Sequence, residues 1–480
     1  MKLFSLIKNI NARVLGNSDK EINGLYHKDT EVKEGGIFFC LRGTRVDGNA
    51  YVLSAVNNGA VAIVTEQEIQ NLSGITQVIV KNAREAMSQI SCKFFGNPAS
   101  KLKVIGVTGT NGKTTTTTMI SSMLESLGKK VALIGTNGVF IRGEKYESGM
   151  TTPDPIELQK YFQTMVRAKV EYAIMEVSAH AIELSKVSGF SFEAVIFTNL
   201  TEDHLDYFKT MERYFQAKAK LFSRKYANFA VINIDDEFGR RLASSINLPY
   251  VTYSTVRDDA TFCASQIKQK GANQTFRLNG KFDFELQMSG RFNVSNALAA
   301  IGVLERIGID ENSMAKGLRE MKPVEGRFNS VMVGENLVVV DYAHTPDGLK
   351  NILCACRQIA GKSKLISVFG CGGNRETAKR PIMGEISSRL ADFTIITSDN
   401  PRFEKREDIA NDILKGIVGT NFKVILDRAS AIAYAVSMAS GGDVIVVAGK
   451  GSEPYIDENG EKLPYSDMAE IEKIRRTKNE

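Results

Sequence analysis

At 480 residues the chain is too long for one hydrophobic core, and its length sets an expectation of about three domains. Its 43% hydrophobic and 24% charged residues are those of an ordinary globular protein. The formal net charge of +6, with no dense Lys/Arg block, suits anionic small molecules and does not argue for a nucleic-acid partner.

The N-terminal "MKLFSLIKNINARVLG" has a short, broken apolar run without a signal peptide's continuous apolar region, and no window approaches the length of a membrane span. Six cysteines (Cys40, Cys92, Cys263, Cys354, Cys356, Cys371) form no CxxC pair, so neither zinc nor a disulfide framework is indicated. Reduced thiols in the cytoplasm are the expectation.

The first block holds short apolar runs, "GIFFCLRG", "AVAIVTEQ" and "TQVIVKN", and ends near Phe95; "FFGNPASKL" reads as a linker. From "KVIGVTG" onward, strand-like runs ("VIGV", "VALIGT", "EYAIMEV", "EAVIFTNL", "FAVINID") alternate with helix-like ones. That alternation predicts a parallel sheet with crossover helices. The stretch "ATFCASQIKQKGANQTFRLNGKFDFELQMSG" reads as an antiparallel addition, followed by a helix at "NVSNALAAIGVLERIG". Past "MKPVEGRF" the alternation restarts with "NLVVVDYAH", "LISVFGCGG", "FTIITSDN", "FKVILD" and "DVIVVAGKG". The helical spacing in "EDIANDILKGI" and "ASAIAYAVSMA" makes this a second, doubly wound α/β unit.

In "GTNGKTT", Gly109 and Gly112 let the backbone turn tightly at a helix start, so that amides face an anion. Lys113 can reach β- and γ-phosphates, and Thr114 can hold Mg²⁺. The strict pattern fails, because Val107 stands where it needs glycine, yet the strand–loop–helix context favours phosphate over a plain helix-capping turn. Other chemistry sits at the carboxyl ends of strands, where open α/β sheets bind ligands. These residues are Glu176, Ser178 and His180; Asp203 and His204; Asp341 and His344; Arg375; Asp399, Asn400 and Arg402; Gly449 and Glu453. Alone, each reads as a turn or cap residue; together, with three of the four histidines among them, they mark one functional edge. Glu176 with His204 suits a cation held by few protein ligands plus phosphate and water. In "MERYFQAKAKLF", Lys218 falls on the apolar helix face and Lys220 does not. Such a lysine is paired, neutralised or modified, or its stem snorkels to the rim; spacing leaves both open.

The motifs "TGTNGKTT", "EVSAH", "NLTEDHLD", "YFQAKAKLF", "GRFNVSNALAA", "VEGRF", "DYAHTPDGL", "GCGGNR", "DNPR" and "AGKGSEPY" occur in the order seen in Mur ligases, which the chain resembles over nearly its whole length. Within that family it is similar to the branch that adds the third peptide residue. The resemblance implies an α/β fold of three domains: a small UDP-binding domain (1–97), a central ATP-binding domain with a parallel sheet and added antiparallel strands (98–327), and a Rossmann-like amino-acid domain (328–480). It implies ATP and Mg²⁺ as cofactors and UDP-MurNAc-L-Ala-D-Glu and meso-diaminopimelate as substrates. The D-glutamyl carboxylate would be activated as an acyl phosphate and captured by an amine. Lys113, Glu176, His204, Lys218 and Arg327 would be catalytic. Gly109, Thr110, Asn111, Gly112, Lys113, Thr114 and Thr115 would hold phosphates, Asn293 and Asn296 the adenine, Asp341 the ribose and Arg327 the phosphates. Thr114, Glu176, His204 and a carbamylated Lys218 would hold the metal. Thr151, Thr152, Ser178 and Lys186 would touch the muramyl-peptide. Arg375, Asp399, Asn400, Pro401, Arg402, Gly449 and Glu453 would hold diaminopimelate, with Arg402 clamping its extra carboxylate. A monomer without nucleic-acid or membrane partners is expected. Three stretches depart from the family: Lys186 where Arg is common, Ser452 where His is usual beside diaminopimelate, and "KDT" at 28–30 in place of "DSR". Rival readings are the same reaction with L-lysine, another amide ligase of this fold, an inactive nucleotide-binding module, and a P-loop kinase.

Overall fold

The computed structural model describes residues 1–43 and 46–479. It has three α/β domains, each built on its own sheet. The first sheet uses β1 (Ala12–Leu15), β2 (Gly24–Tyr26), β3 (Gly36–Phe39), β4 (Ala60–Thr65) and β5 (Thr76–Val80), in the order β1-β5-β4-β3-β2. β2 to β5 run parallel and β1 antiparallel. β3 and β4 are near-continuous apolar runs, as strands covered on both faces must be. Helix Ala83–Phe94 starts at Asn82, whose side chain caps the amides of Arg84 and Glu85. The helix lies against the next domain. Ser88 Oγ donates to Lys186 O at 3.2 Å, and Gly189 comes so close to Cys92 Sγ that a Cβ there would overlap it. The linker at 95–101 is thus a short tether between packed bodies, with one 3₁₀ turn, Pro98–Lys101.

The central sheet contains β6 (Lys103–Thr108), β7 (Val131–Gly135), β8 (Gly138–Ile141), β9 (Glu144–Tyr146), β10 (Tyr172–Glu176), β11 (Ala194–Phe197), β12 (Ala230–Asn233), β13 (Tyr250–Ser254), β14 (Phe262–Lys270), β15 (Asn273–Leu278) and β16 (Phe282–Leu286). Their order is β16-β15-β14-β13-β12-β11-β6-β10-β7-β8-β9. β7, β10, β6 and β11 to β14 pair in parallel. β15 and β16 add the expected antiparallel edge. A second antiparallel hairpin, β8–β9, extends the opposite edge. β6 sits between β10 and β11, so the chain turns to opposite sides of it; this is where an open sheet forms a crevice.

The third sheet has β17 (Asn329–Val333), β18 (Asn336–Asp341), β19 (Leu365–Phe369), β20 (Phe393–Ile396), β21 (Phe422–Val424) and β22 (Val444–Ala448), ordered β17-β18-β22-β19-β20-β21. All pairs are parallel except β17–β18. A separate hairpin, β23 (Tyr455–Glu458) and β24 (Glu461–Pro464), stands beside it. Met321, Val324 and Phe328, in the link between the second and third domains, are buried in one apolar cluster that reaches into both. No helix among the described residues is long and apolar enough to cross a membrane.

Candidate active site

β6 ends at Thr108, and helix Lys113–Ser126 begins after a turn whose Gly112 has φ +86°. A Cβ at Gly112 would overlap Asn296 Oδ1, and one at Gly109 would overlap Thr198 Oγ1, so both positions require glycine. One expectation is corrected here. The amides of Thr110 and Asn111 do not face an anion; they donate to Asn199 O and Asn199 Oδ1, both at 2.9 Å. Asn199, just past β11, braces the turn, and it is the amides at the helix start that a helix N-terminus offers to an anion. Lys113 folds back on the loop, donating to Gly109 O at 2.9 Å and Thr110 O at 2.8 Å. Burial lowers its pKa, opposed by the charge of Glu176.

Glu176, at the end of β10, is fully buried and held on both oxygens. Oε1 accepts from Thr114 Oγ1 and Thr136 N, each at 2.9 Å, and Oε2 from Thr136 Oγ1 at 3.1 Å. Gly135 leaves the space this carboxylate occupies. Arg327 Nη2 donates to Thr114 Oγ1 at 3.2 Å, bringing the interdomain link to the loop. Thr152 Oγ1 donates to Glu176 O at 2.9 Å and accepts from Ser178 N at 3.1 Å. Thr151 and Thr136 hydroxyls lie 3.1 Å apart. The Ser178 hydroxyl caps Ala181 N. Lys186 Nζ pairs with Asp154 Oδ1 at 2.9 Å, and Asp154 Oδ2 lies 4.0 Å from His27 Nε2 of the first domain.

His204 has φ +57° and sets Nε2 3.3 Å from Asp203 Oδ2. Burial pushes its pKa down to about 4, against the opposing charge of Asp203, so the ring is neutral near pH 7 and able to ligate. Its ring meets His180 edge-on at 4.9 Å. Lys218, only 1% exposed, lies behind the loop. Its Nζ donates to Gly109 O at 2.9 Å and stands 4.6 Å from the Tyr214 ring centre. Burial first, and then the charge of Lys113, drive its pKa well below the ordinary lysine value. Among the described residues no three His, Cys, Asp or Glu side chains gather with metal-binding spacing. The donors at hand are Thr114 with Glu176, the neutral His204, and the amine of Lys218.

Two adjoining cavities organise these groups. One, of about 300 Å³, is lined by Lys113, Thr114, Thr151, Glu176, Ser178 and His204 on one side and by Arg375, Asp399, Asn400, Arg402, Gly449 and Glu453 on the other. The second, of about 390 Å³, is lined by Thr115, Asn293, Asn296, Arg327 and Asp341, with Phe292 and Val256 as apolar walls. Asn111, Gly112, Arg327 and Tyr342 belong to both. Asp341 also braces backbone: Oδ2 accepts from Phe328 N at 2.8 Å and Oδ1 from Ala343 N at 2.9 Å. Burial raises its pKa, against Arg327.

On the third domain, Arg402 has φ +53°. Its backbone is gripped by β23 through Arg402 N to Asp457 O at 2.9 Å, and its Nη1 donates to Gly373 O at 2.6 Å. Its Nε is 3.8 Å from Asp457 Oδ2. Asn400 Nδ2 donates to Glu453 Oε2 at 2.8 Å. Gly449, φ +117°, has no room for a Cβ beside Asp399. Pro401 forms the turn under Gly373 rather than the cavity wall. Sequence reasoning missed Asn199, Asp154 and Lys450. Lys450 follows Gly449 directly, and a lysine two residues past an all-apolar strand is the signal that could have found it.

Family models described as the Mur ligase family catalytic domain, the Mur ligase middle domain and the Mur ligase glutamate ligase domain match residues 21–95, 107–304 and 326–451. The chain is similar to UDP-N-acetylmuramoyl-L-alanyl-D-glutamate–2,6-diaminopimelate ligase 1 of Clostridium acetobutylicum, 43% identical over 478 residues and 98% of each chain. It is 42% identical to the corresponding ligase of Clostridium botulinum over 99% of each chain. A solved structure titled as the same kind of ligase aligns with a TM-score of 0.73 at 30% identity, covering 100% of this chain and 99% of that one. Similar to these relatives from end to end, and matched by a family model within each of its three domains, the chain belongs to the Mur ligase family.

Proposed function

We propose that the protein is an ATP-dependent amide ligase that adds meso-diaminopimelate to UDP-MurNAc-L-Ala-D-Glu during peptidoglycan precursor synthesis in the cytoplasm, working as a monomer. The observation that carries this reading is the single cavity in which the loop lysine, Lys113, and Glu176 face Arg402 and Glu453 across two domains. The likeness to ligases named for this reaction supports it.

Residues 1–97 would hold the uridine nucleotide, 98–327 ATP, and 328–480 the amino acid. The D-glutamyl carboxylate, beside Thr151, Thr152, Ser178 and Lys186, attacks the γ-phosphorus. The bond to ADP breaks and an acyl phosphate forms. The amine of diaminopimelate attacks the acyl carbon and loses a proton, and the tetrahedral intermediate expels phosphate to leave the amide. Two anions meet in the first step, so positive charge must stand between them, and Lys113 and Arg327 would supply it. Adenine would lie near Asn293 and Asn296 and ribose near Asp341, with phosphates on the helix start. Thr114, Glu176, His204 and Lys218 would hold Mg²⁺, which when bound neutralises charge on the phosphate oxygens. Burial lowers the pKa of Lys218 and so favours the free amine that adds carbon dioxide: an N–C bond forms as one C=O π bond opens, a proton leaves, and the resulting carbamate would offer carboxylate oxygens. At the far end, Arg402 would clamp the second carboxylate of diaminopimelate bidentately, with Glu453 taking its ammonium.

Incubation with ATP, the muramyl-dipeptide nucleotide and either meso-diaminopimelate or L-lysine tests this. Tripeptide nucleotide forms rapidly with diaminopimelate and poorly with lysine; equal use of both removes the role given to Arg402.

A further inference from the structure

Lys450 is fully buried and lies outside every role assigned above. It follows β22 and sits behind the acceptor end of the cavity, which Asn400 and Glu453 line and Lys450 does not. Its Nζ donates to Asn400 Oδ1 at 2.9 Å and Glu453 Oε2 at 3.3 Å, with Asp399 Oδ1 at 4.0 Å. We propose that Lys450 is a positioning residue that fixes how Asn400 and Glu453 face the incoming amino acid and biases the pocket toward a zwitterionic head over a lone ammonium. This rests on the reading that this end of the cavity receives the amino acid.

Two observations carry it. The first is orientation. Asn400 Oδ1 also accepts from Asp457 N at 2.9 Å, so both of its lone pairs are taken by donors. A flipped amide would set NH₂ against an ammonium and an N–H. Nδ2 is therefore held toward Glu453 Oε2, on the cavity side. The second is charge. Asp399, Glu453 and Asp457 cluster around Asn400, against the cations Lys450 and Arg402. Removing Lys450 leaves one more uncompensated negative charge in the wall. That wall would draw the single ammonium at the end of a lysine side chain more strongly, and it would repel the carboxylate that diaminopimelate carries at the same place.

The test is steady-state ligation by Lys450→Met and Lys450→Gln beside the wild type, with meso-diaminopimelate and with L-lysine. Lys450→Met raises KM for diaminopimelate on the order of tenfold or more and leaves KM for ATP unchanged. It also lowers the ratio of kcat/KM for diaminopimelate to that for lysine. Lys450→Gln keeps a donor for Asn400 Oδ1, so it restores part of the KM while the ratio stays low. If Lys450→Met does not fold by circular dichroism, Lys450→Gln carries the test through that ratio. An unchanged ratio in the folded variants, or an equal rise in KM for ATP, overturns the proposal. A wild type that does not ligate diaminopimelate overturns both this inference and the function it rests on.

Discussion

Gly112 shows how little freedom the phosphate turn has. Alanine there would hold a left-handed backbone, at about 1–2 kcal/mol, and overlap Asn296. Gly112→Ala therefore weakens ATP binding at least about tenfold by titration calorimetry, whereas unchanged affinity would detach the turn from the nucleotide. Arg402→Ala raises KM for diaminopimelate and leaves ATP affinity alone; a changed ATP affinity would mean the side chain serves the other cavity. Lys218 gives a third expectation. Enzyme stripped of carbon dioxide loses activity and regains it with bicarbonate, whereas Lys218→Ala stays inactive in both; a wild type indifferent to bicarbonate refutes the carbamate. At this scale the sequence exposed residues whose type clashed with their surroundings, such as a lysine on an apolar face. It hid Asn199 and Asp154, because polar residues in loops are ordinary and their partners lie far along the chain.

The strands that position these residues were legible where they are buried: β10, β11, β19 and β22 throughout and β6 from Val104 onward. The hairpins β8–β9 and β23–β24 were not. β9 is mostly exposed and β24 wholly so, so no apolar alternation marks them. β23 nonetheless grips Arg402, so part of the proposed acceptor site hangs on an element with no sequence signature. Its neighbouring helix, Asp467–Asn479, is anchored by a buried pair: Arg428 Nε and Nη2 each donate to Asp467 at 2.8 Å, and the same guanidinium bonds Ser398 O and Ala448 O. These carbonyls sit at the ends of the strands bearing Asp399 and Gly449. Asp467→Asn leaves a buried cation short of its counter-charge and costs about 3–5 kcal/mol in denaturant unfolding. A loss below about 1 kcal/mol would show that the pair is not holding these ends together.

At the scale of the whole molecule, the second and third domains meet tightly. Ser452 Oγ donates to Asn137 Oδ1 at 3.0 Å, and Asn111 Nδ2 to Asp347 Oδ2 at 3.0 Å. Asn137 follows Thr136, which holds Glu176, and Ser452 precedes Glu453, so one contact joins the two halves of the site. The alternation of strands and helices announced two α/β units, but their meeting combines a shared apolar cluster with single polar contacts between distant segments, which no periodicity encodes. Gly326, φ +69°, lies against the Ser452 amide with no room for a Cβ. Gly326→Ala displaces the third domain and lowers ligation by about a hundredfold while ATP still binds; full activity would mean that this closeness is not needed for catalysis. The most direct measurement of the central claim is a crystal structure with a non-hydrolysable ATP analogue and meso-diaminopimelate bound together. The expected result is the γ-phosphate near Lys113 and the diaminopimelate side-chain carboxylate on Arg402, in one continuous cavity. The two ligands in separate cavities, with Lys113 and Arg402 turned away from each other, would contradict it.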